Sequence, residues 1–246
     1  MKEQLVRSVV FEREGLDDLD RYPFSIPAVR SLATLALHPR VTLFAGENGS
    51  GKSTLVEAIA IAAGLSPEGG SRNMSLATRA SHSQLHEHLR LTRGTRAPRD
   101  GFFLRAESVF NVATHIEELE QERAGLIDSS YGGVSLHEQS HGESFLSLVV
   151  HRFFGPGFYV LDEPEAALSV QGQLALIARM HELVTTGSQF VVSTHSPILL
   201  AYPEARIYSL SESGIENVAY DETDAVVLTR SFLADRERFL RHLLND

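Results

Sequence analysis

The chain has 246 residues, of which 43% are hydrophobic and 22% are charged. This composition is typical of a folded globular domain and excludes disordered and fibrous proteins. The absence of cysteine excludes disulfides, thiolate nucleophiles and cysteine-bound metals, and it fits a reducing compartment. The net charge of −10 argues against coating of nucleic acid by the whole surface, although a local basic patch stays open. No apolar run approaches the ~20 residues of a membrane span, so we expect a cytoplasmic chain without a membrane segment or a secretion signal.

Short apolar and β-branched runs alternate with helical patterns along the chain, which predicts an α/β fold with a mostly parallel sheet flanked by helices. The predicted strands are, in chain order, residues 5–11, 41–45, 102–106, 158–162, 189–194 and 206–210. A Ser-Gly turn at 213–214 returns the last strand into residues 215–220 and predicts an antiparallel edge. The predicted helices are residues 52–63, 143–154, 170–185 and 225–244.

The pattern becomes polar and helical between residues 109 and 155. We expect this segment to form a small helical lobe inserted into a single domain of residues 1–246. The core of that domain would then consist of residues 1–108 and 156–246. A loop is predicted at residues 66–73, which are rich in Gly, Ser and Pro.

A glycine-rich segment between the second predicted strand and the first predicted helix matches the pattern G-x-x-x-x-G-K-S/T. Its members are Gly46, Glu47, Asn48, Gly49, Ser50, Gly51, Lys52 and Ser53, followed by Thr54. Glycines allow the positive torsions that turn successive amide groups toward one anion, and the helix N-terminus adds positive charge. Lys52 is predicted to reach the β and γ phosphates of a nucleotide, and the Ser53 hydroxyl to bind Mg²⁺. A glycine-rich turn without a ligand is the alternative, and the flanking strand and helix favour nucleotide binding.

Two further strands are predicted to end in groups that suit nucleotide hydrolysis. The strand at residues 158–162 ends in Asp162 and Glu163, and parallel strands place such acids at the edge that carries the phosphate loop. Asp162 is predicted to hold Mg²⁺ and Glu163 to polarise the attacking water. His195 follows the strand at residues 189–194, where an imidazole can donate a hydrogen bond to the γ-phosphate.

With these motifs in this order, the chain resembles the ATP-binding-cassette (ABC) ATPases, most of all the soluble stand-alone members related to RecF and SMC-type heads and the bacterial AAA-family ATPases. Residues 140–144 stand at the position of the family's signature motif, roughly Leu-Ser-Gly-Gly-Gln or Glu. Ser140, Gly142 and Glu143 match that pattern, whereas Gln139 and His141 depart from it. Ser140 and Glu143 also form an S-x-x-E capping box for the helix that follows.

The resemblance implies the P-loop NTPase fold of ABC type and Mg²⁺-dependent hydrolysis of ATP. It also implies a head-to-tail homodimer in which Lys52 of one chain and Ser140 of the other flank one nucleotide, and whose cycle drives an unidentified protein partner. Glu107 is a candidate substitute for the glutamine of the family's Q-loop and a candidate metal ligand, since no glutamine stands after residues 102–106. Ser169 stands where aspartate is common in the family's D-loop.

Two features carry open alternatives. Tyr22 and Phe24 precede the phosphate loop at the distance at which family members place an aromatic against adenine, but core packing is favoured. A stripe of arginines with histidines upstream is either a solvated face, which we favour, or a docking site for an acidic partner or a nucleic-acid backbone. The stripe consists of Arg90, Arg93, Arg96 and Arg99, with His82, His86 and His88 before it.

Three other functions compete with a dimeric ATPase. The chain could be a nucleotide-binding switch or scaffold with little turnover, or the energising subunit of a transporter. It could also be a P-loop kinase, although a kinase would need an acceptor pocket and a lid, and would leave Ser140 and His195 without a role.

Overall fold

A computed structural model describes residues 4–16, 18–71, 83–122, 125, 127 and 131–244. His82 and the end of the predicted loop at residues 66–73 lie outside the described residues. The described strands are β1 (Val6–Phe11), β2 (Thr34–Ala36), β3 (Val41–Gly46), β4 (Leu89–Arg93), β5 (Asp100–Arg105), β6 (Gly157–Asp162), β7 (Gln189–Ser193), β8 (Arg206–Ser211) and β9 (Gly214–Val218). The described helices are α1 (Pro27–Ser31), α2 (Lys52–Ala62), α3 (Val109–Glu122), α4 (His141–Ser147), α5 (Val170–Thr185), α6 (Pro197–Leu200), α7 (Asp224–Ala234) and α8 (Arg236–Leu244).

The central sheet has the strand order β5-β6-β7-β3-β8-β9. Its first five strands run parallel, and β9 pairs with β8 in the antiparallel sense. Every residue of β6 and β7 is buried, as expected for strands covered on both faces. The mostly parallel sheet and its antiparallel edge confirm the predicted fold class.

Two apolar layers cover the two faces of this sheet, because successive side chains of a strand point to opposite sides. Leu43 packs into one layer with residues of α3, α4 and α5. Phe44, the next residue, packs into the other layer with residues of α2 and β1. The helix that follows the phosphate loop therefore lies on one face, and the helices around the signature sequence lie on the other.

A second, three-stranded antiparallel sheet has the order β2-β1-β4. The prediction that residues 5–11 belong with the parallel strands is therefore wrong in its sheet, although the strand itself is present. The strand β4 lies within the arginine stripe and was not among the predicted strands. Leu89 is buried, Arg90 is exposed and Leu91 is half-buried, so the three-residue arginine spacing obscured a two-residue alternation at the start of the strand.

Two predicted helices differ from the described ones. The helix predicted at 143–154 begins at His141, two residues earlier, and after α4 it continues only as a π-helical turn at Leu148–Arg152. The helix predicted at 225–244 is interrupted at Asp235, which separates α7 from α8. The division into a core and an inserted lobe at residues 109–155 stays a prediction. Within the described residues, no helix is both long and apolar enough to cross a membrane.

Candidate functional site

The phosphate loop joins β3 to α2 and takes a conformation that only glycine adopts easily. Gly46 and Gly51 have φ values of 146° and 95°. A Cβ atom on Gly46 would lie 2.4 Å from the Leu210 carbonyl oxygen, and one on Gly51 would lie 2.6 Å from a methyl carbon of Ile26. The two glycines are therefore required both by their torsions and by close neighbours.

Lys52 is the first residue of α2, and only 3% of its surface is exposed. Its ammonium donates hydrogen bonds of 2.9 Å to the carbonyl oxygens of Gly46 and Glu47. The same nitrogen lies 3.7 Å from Oε1 of Glu163. The hydroxyl of Ser50 is buried and has no hydrogen-bond partner among the described residues. The loop thus holds a buried positive charge and a free hydroxyl, which suits a cradle for a polyphosphate.

Asp162 ends β6 and is placed by the register of the sheet. It pairs with Arg105 on β5 and with Ser193 on β7. Its carboxylate accepts hydrogen bonds from the hydroxyls of Ser193 and Ser53. Burial raises the pKa of Asp162, while the bond from Ser193, the charge of Arg105 and the bond from Ser53 act in the opposite direction. The last strand residue therefore meets the first turn of α2, and the metal-binding role of Asp162 and Ser53 stays a prediction.

Glu163 follows in the left-handed region, with a φ of 46°. Its backbone N–H lies 3.1 Å from the carbonyl oxygen and 3.1 Å from the hydroxyl oxygen of Ser193. These contacts with Ser193 fix the point, Glu163, at which the chain leaves the sheet. The side chain is about one-third exposed and faces Lys52. The partly exposed carboxylate is accessible to water beside the phosphate loop, where a carboxylate can accept a proton from water.

A cavity of about 140 Å³ lies between these groups. It is lined by Ser53, Arg105, Ala106, Glu107, Asp162, Glu163 and Ala166. Hydroxyl and carboxylate oxygens are the ligands that Mg²⁺ prefers, and Mg²⁺ usually takes few protein ligands beside phosphates and water. The described residues contain no cluster of three or more His, Asp or Glu side chains placed to hold a metal, which leaves Ser53 and Asp162 as a sparse donor pair of that kind. These residues fit Mg²⁺.

Glu107 borders this cavity, but its carboxylate pairs with Arg105 at 2.9 Å and is 75% exposed. It lies in a short 3-10 turn at Ala106–Ser108 that leads into α3. The residue that fills the space beside Asp162 is Arg105, which the sequence analysis did not single out. Its signal in the sequence is a charged residue at the end of an apolar strand, where the Q-loop glutamine is absent.

His195 follows β7 and is held by Glu165, which the sequence analysis did not identify. Its backbone N–H donates a hydrogen bond of 2.7 Å to Oε1 of Glu165, and its Nδ1 lies 3.3 Å from the same oxygen. Glu165 lies two residues after Glu163 in the 3-10 turn Pro164–Ala166. The imidazole is about half exposed, whereas the carboxylate of Glu165 is buried. The second glutamate therefore fixes the histidine relative to the first.

The signature residues form a separate surface. Ser140 and Glu143 make the predicted capping box: the Ser140 backbone N–H donates to the carboxylate at 2.9 Å, and the Glu143 backbone N–H donates to the Ser140 hydroxyl at 3.4 Å. The Ser140 hydroxyl also donates a hydrogen bond of 2.6 Å to the Glu143 carboxylate, and this bond, together with the one from the Ser140 backbone N–H, lowers the pKa of Glu143. A Cβ atom on Gly142 would lie 2.9 Å from the Ala167 carbonyl oxygen, so the helix end packs against the loop after β6. No hydrogen bond or ion pair of the described residues joins Ser140 or Glu143 to the phosphate loop of the same chain.

His141, the departure from the signature pattern, points back into its own subunit. Its Nε2 lies 2.8 Å from the carbonyl oxygen of Ala106 and therefore donates a hydrogen bond to it. The signature helix is thus tied to the turn that follows Arg105.

The two aromatic candidates separate clearly. Phe24 is buried and packs against Phe11 and His88, with ring centroids 6.2 and 5.3 Å apart. Tyr22 is 63% exposed, and its hydroxyl lies 3.3 Å from that of Thr54 at the start of α2. The favoured core role applies to Phe24, while Tyr22 lies beside the phosphate loop.

The arginine stripe forms no helical ridge. Arg90 and Arg93 lie on β4, and Arg90 pairs with Glu12. Arg96 and Arg99 follow in the connection to β5, outside any helix. The four side chains therefore do not share one regular face.

Comparison with known proteins identifies the fold. A sequence model of the AAA domain family matches residues 25–122. The ABC transporter G family member STR2 of Medicago truncatula is 30% identical over 173 residues, which cover 64% of this chain and 24% of the relative. The chain thus spans about a quarter of the length of this curated relative.

Among solved structures, an ATP-binding cassette of an ABC transporter, MJ1267, matches with a TM-score of 0.50 and 16% identity, covering 94% of this chain and 98% of the other. The SMC head domain from Thermotoga maritima matches with a TM-score of 0.44 and 16% identity, covering 89% of this chain and 100% of the other. The chain has the fold of the ABC-type P-loop ATPases, which confirms the resemblance drawn from its motifs.

Proposed function

We propose that this protein is a Mg²⁺-dependent ATPase whose two copies pair head to tail around ATP. The observation that carries the proposal is the meeting of the phosphate loop and the acidic strand end. Lys52 lies 3.7 Å from Glu163, and Ser53 donates a hydrogen bond to Asp162. A phosphate-binding cation, a metal-binding pair and a general base are thus grouped in one small region.

The roles follow from the chemistry of each group. Lys52 and the amides of residues 46–54 would hold the β and γ phosphates, and Ser53 and Asp162 would hold Mg²⁺, which supplies charge neutralisation to the phosphates. Glu107 stays a candidate metal ligand at the rim. Glu163 would accept a proton from the attacking water. His195 would contact the γ-phosphate, and the exposed ring of Tyr22 beside Thr54 would stack on a base.

The proposed dimer rests on the position of the signature residues. Ser140, Gly142 and Glu143 line an open cleft of about 440 Å³ against the loop after β6, apart from the phosphate loop of their own chain. A helix N-terminus attracts anions through its free amides and its dipole. A second copy, turned head to tail, would bring this end to the γ-phosphate, and the dimer would deliver its conformational change to another protein.

The test uses Glu163→Gln, which keeps the shape of the side chain and removes the base. We expect ATP hydrolysis to fall by about 100-fold or more, the range for losing a general base, while ATP binding persists. Size-exclusion chromatography with Mg-ATP should then show a trapped dimer that dissociates when ATP is removed. Glu216→Gln, on the edge strand β9, is the control and should behave like the original protein.

The outcomes separate the competing functions. A nucleotide switch with little turnover would show ATP binding but no difference in hydrolysis between Glu163→Gln and the unmodified chain. Failure of the Glu163→Gln protein both to retain ATP and to dimerise would contradict the proposal.

A further inference from the structure

Arg105 is the last residue of β5 and is surrounded by three carboxylates. Its guanidinium lies 2.7 Å from Glu57 on α2, 2.9 Å from Glu107 and 3.4 Å from Asp162. The side chain is only 21% exposed. One positive charge therefore joins the helix after the phosphate loop, the metal-binding strand end and the turn into α3.

The three contacts differ in kind. The terminal nitrogens of the guanidinium face Glu57 and Glu107, whereas Nε faces Asp162. Nε is buried and has no hydrogen-bond partner among the described residues, so its contact with Asp162 is purely electrostatic. The guanidinium can therefore give up Asp162 while both of its other partners still hold it.

Asp162 needs a cation in both states of the site. Only 5% of its side chain is exposed, and a buried carboxylate without a positive partner destabilises the fold. Mg²⁺ would supply that cation together with the nucleotide. In the absence of the metal, the guanidinium is the cation nearest to Asp162 among the described ion pairs.

We propose that Arg105 is a stand-in cation for Mg²⁺: it neutralises Asp162 while the site lacks the metal, and it gives up that contact when Mg²⁺ enters with the nucleotide. This inference rests on the proposed nucleotide site. Arg105 and Mg²⁺ then compete for one carboxylate, so the arginine sets how much Mg²⁺ the site needs.

The experiment measures thermal unfolding with ADP held constant and Mg²⁺ varied, which needs no turnover. Arg105→Gln should unfold at a lower temperature than the original protein in EDTA. Its half-saturating Mg²⁺ concentration should fall by about tenfold, because an opposite charge this close biases a carboxylate by that order. Arg105→Lys, which keeps the charge, should stay closer to the original value.

The chain offers a matched control in Arg152, which pairs with the buried Asp100 at 3.0 Å. Asp100 begins the strand that Arg105 ends, so Arg152→Gln removes a similar ion pair from the opposite end of the same strand. This variant should unfold at a lower temperature in every buffer without changing the half-saturating Mg²⁺ concentration.

A second variant keeps the test valid if Arg105→Gln does not fold. Glu57→Gln removes an anchor and leaves the guanidinium to its remaining carboxylates, so the half-saturating Mg²⁺ concentration should rise. An unchanged or raised value in Arg105→Gln, or a lowered value in Glu57→Gln, would overturn the inference. If Mg²⁺ and ADP fail to stabilise even the original protein, the proposed nucleotide site itself is wrong.

Discussion

At the scale of single residues, Lys52 has two roles, one in the structure of the loop and one in the proposed binding of phosphate. Its ammonium satisfies the carbonyl oxygens of Gly46 and Glu47, and it supplies the charge for a phosphate. Because the ammonium already binds these two carbonyl oxygens without a nucleotide, the loop has its shape before the ligand binds. The lysine therefore contributes to the stability of the loop as well as to binding.

Lys52→Ala should lower the free energy of unfolding by about 1–3 kcal/mol, because two loop carbonyls lose their buried donor. Urea denaturation measures that change, and titration with a fluorescent ATP analogue should show binding lost. Lys2→Ala removes the chain's other lysine and serves as the control. Intact nucleotide affinity in Lys52→Ala would contradict the assigned role.

The sequence predicted the residues that stand in linear motifs, and the structure adds those that neighbouring strands bring together. Lys52, Asp162 and Glu163 were identified because spacing alone determines their placement. Arg105 meets Asp162 through the register of β5 and β6, which no local pattern contains. Glu165 was missed for a similar reason, since its partner His195 is 30 residues away.

At the scale of elements, the capping box at the start of α4 gives a dependence on pH. The bonds from Ser140 lower the pKa of Glu143 below its ordinary value of 4.5. A lowered pKa in the folded state means that the ionised group stabilises folding above about pH 4.5, and that this contribution disappears as the pH falls through the folded-state pKa.

Ser140→Ala should therefore be less stable than the original protein near neutral pH, and the difference should shrink as the pH falls below about 4.5. Thermal unfolding across a pH series measures it. Ser169→Ala is the matched control, because Ser169 caps α5 through Gly172, which has no titratable side chain. A stability difference that stays constant with pH in Ser140→Ala would argue against the box.

Tyr159 connects β6 to the chain that enters it. Its buried hydroxyl lies 2.8 Å from Oδ2 of Asp100 and accepts a hydrogen bond from the backbone N–H of Phe154. Burial and the charge of Asp100 raise its pKa far above the ordinary range. The raised pKa favours the neutral hydroxyl, which donates its proton to the Asp100 carboxylate.

Tyr159→Phe should lower the free energy of unfolding by about 1–3 kcal/mol, because the carboxylate and the amide lose a buried partner. Urea denaturation tests this, with Tyr220→Phe as a milder comparison, because Tyr220 is half-buried whereas Tyr159 is fully buried. Nucleotide affinity should be unchanged, since this residue lies away from the phosphate loop. A large loss of nucleotide affinity would contradict this separation of Tyr159 from the phosphate loop.

The predicted elements were most accurate where strong apolar runs mark buried parallel strands, and weakest in the second sheet. β4 was missed because its two arginines are exposed on a half-buried strand, and their spacing of three residues hid the alternation expected of a strand. The break between α7 and α8 was also missed, since Asp235 interrupts a pattern of helix-favouring residues without proline or glycine. Local signals there are too weak to compete with tertiary packing.

At the scale of the whole molecule, a nucleotide site shared between two copies of the chain makes a prediction that a site within one copy does not. Lys52→Ala and Ser140→Asp chains should each be inactive alone, since Asp keeps the helix cap but sets a negative charge against the phosphate. A mixture should regain about a quarter of the original ATPase rate, because half the dimers pair unlike chains and each holds one intact site.

Enzyme assays on the separate and mixed proteins measure this complementation. Mixing Lys52→Ala with Glu163→Gln, which is defective in the same half of the site, provides the comparison without an intact site. Absence of any recovery on mixing would mean that Lys52 and Ser140 do not serve a shared nucleotide.

The hydrogen bond from His141 to Ala106 has a mechanical consequence. Ala106 directly follows Arg105, so the signature histidine and the arginine beside Asp162 are anchored on adjacent residues of one turn. If Mg²⁺ binds as proposed, we expect a movement of this turn to reach the signature helix through that one hydrogen bond.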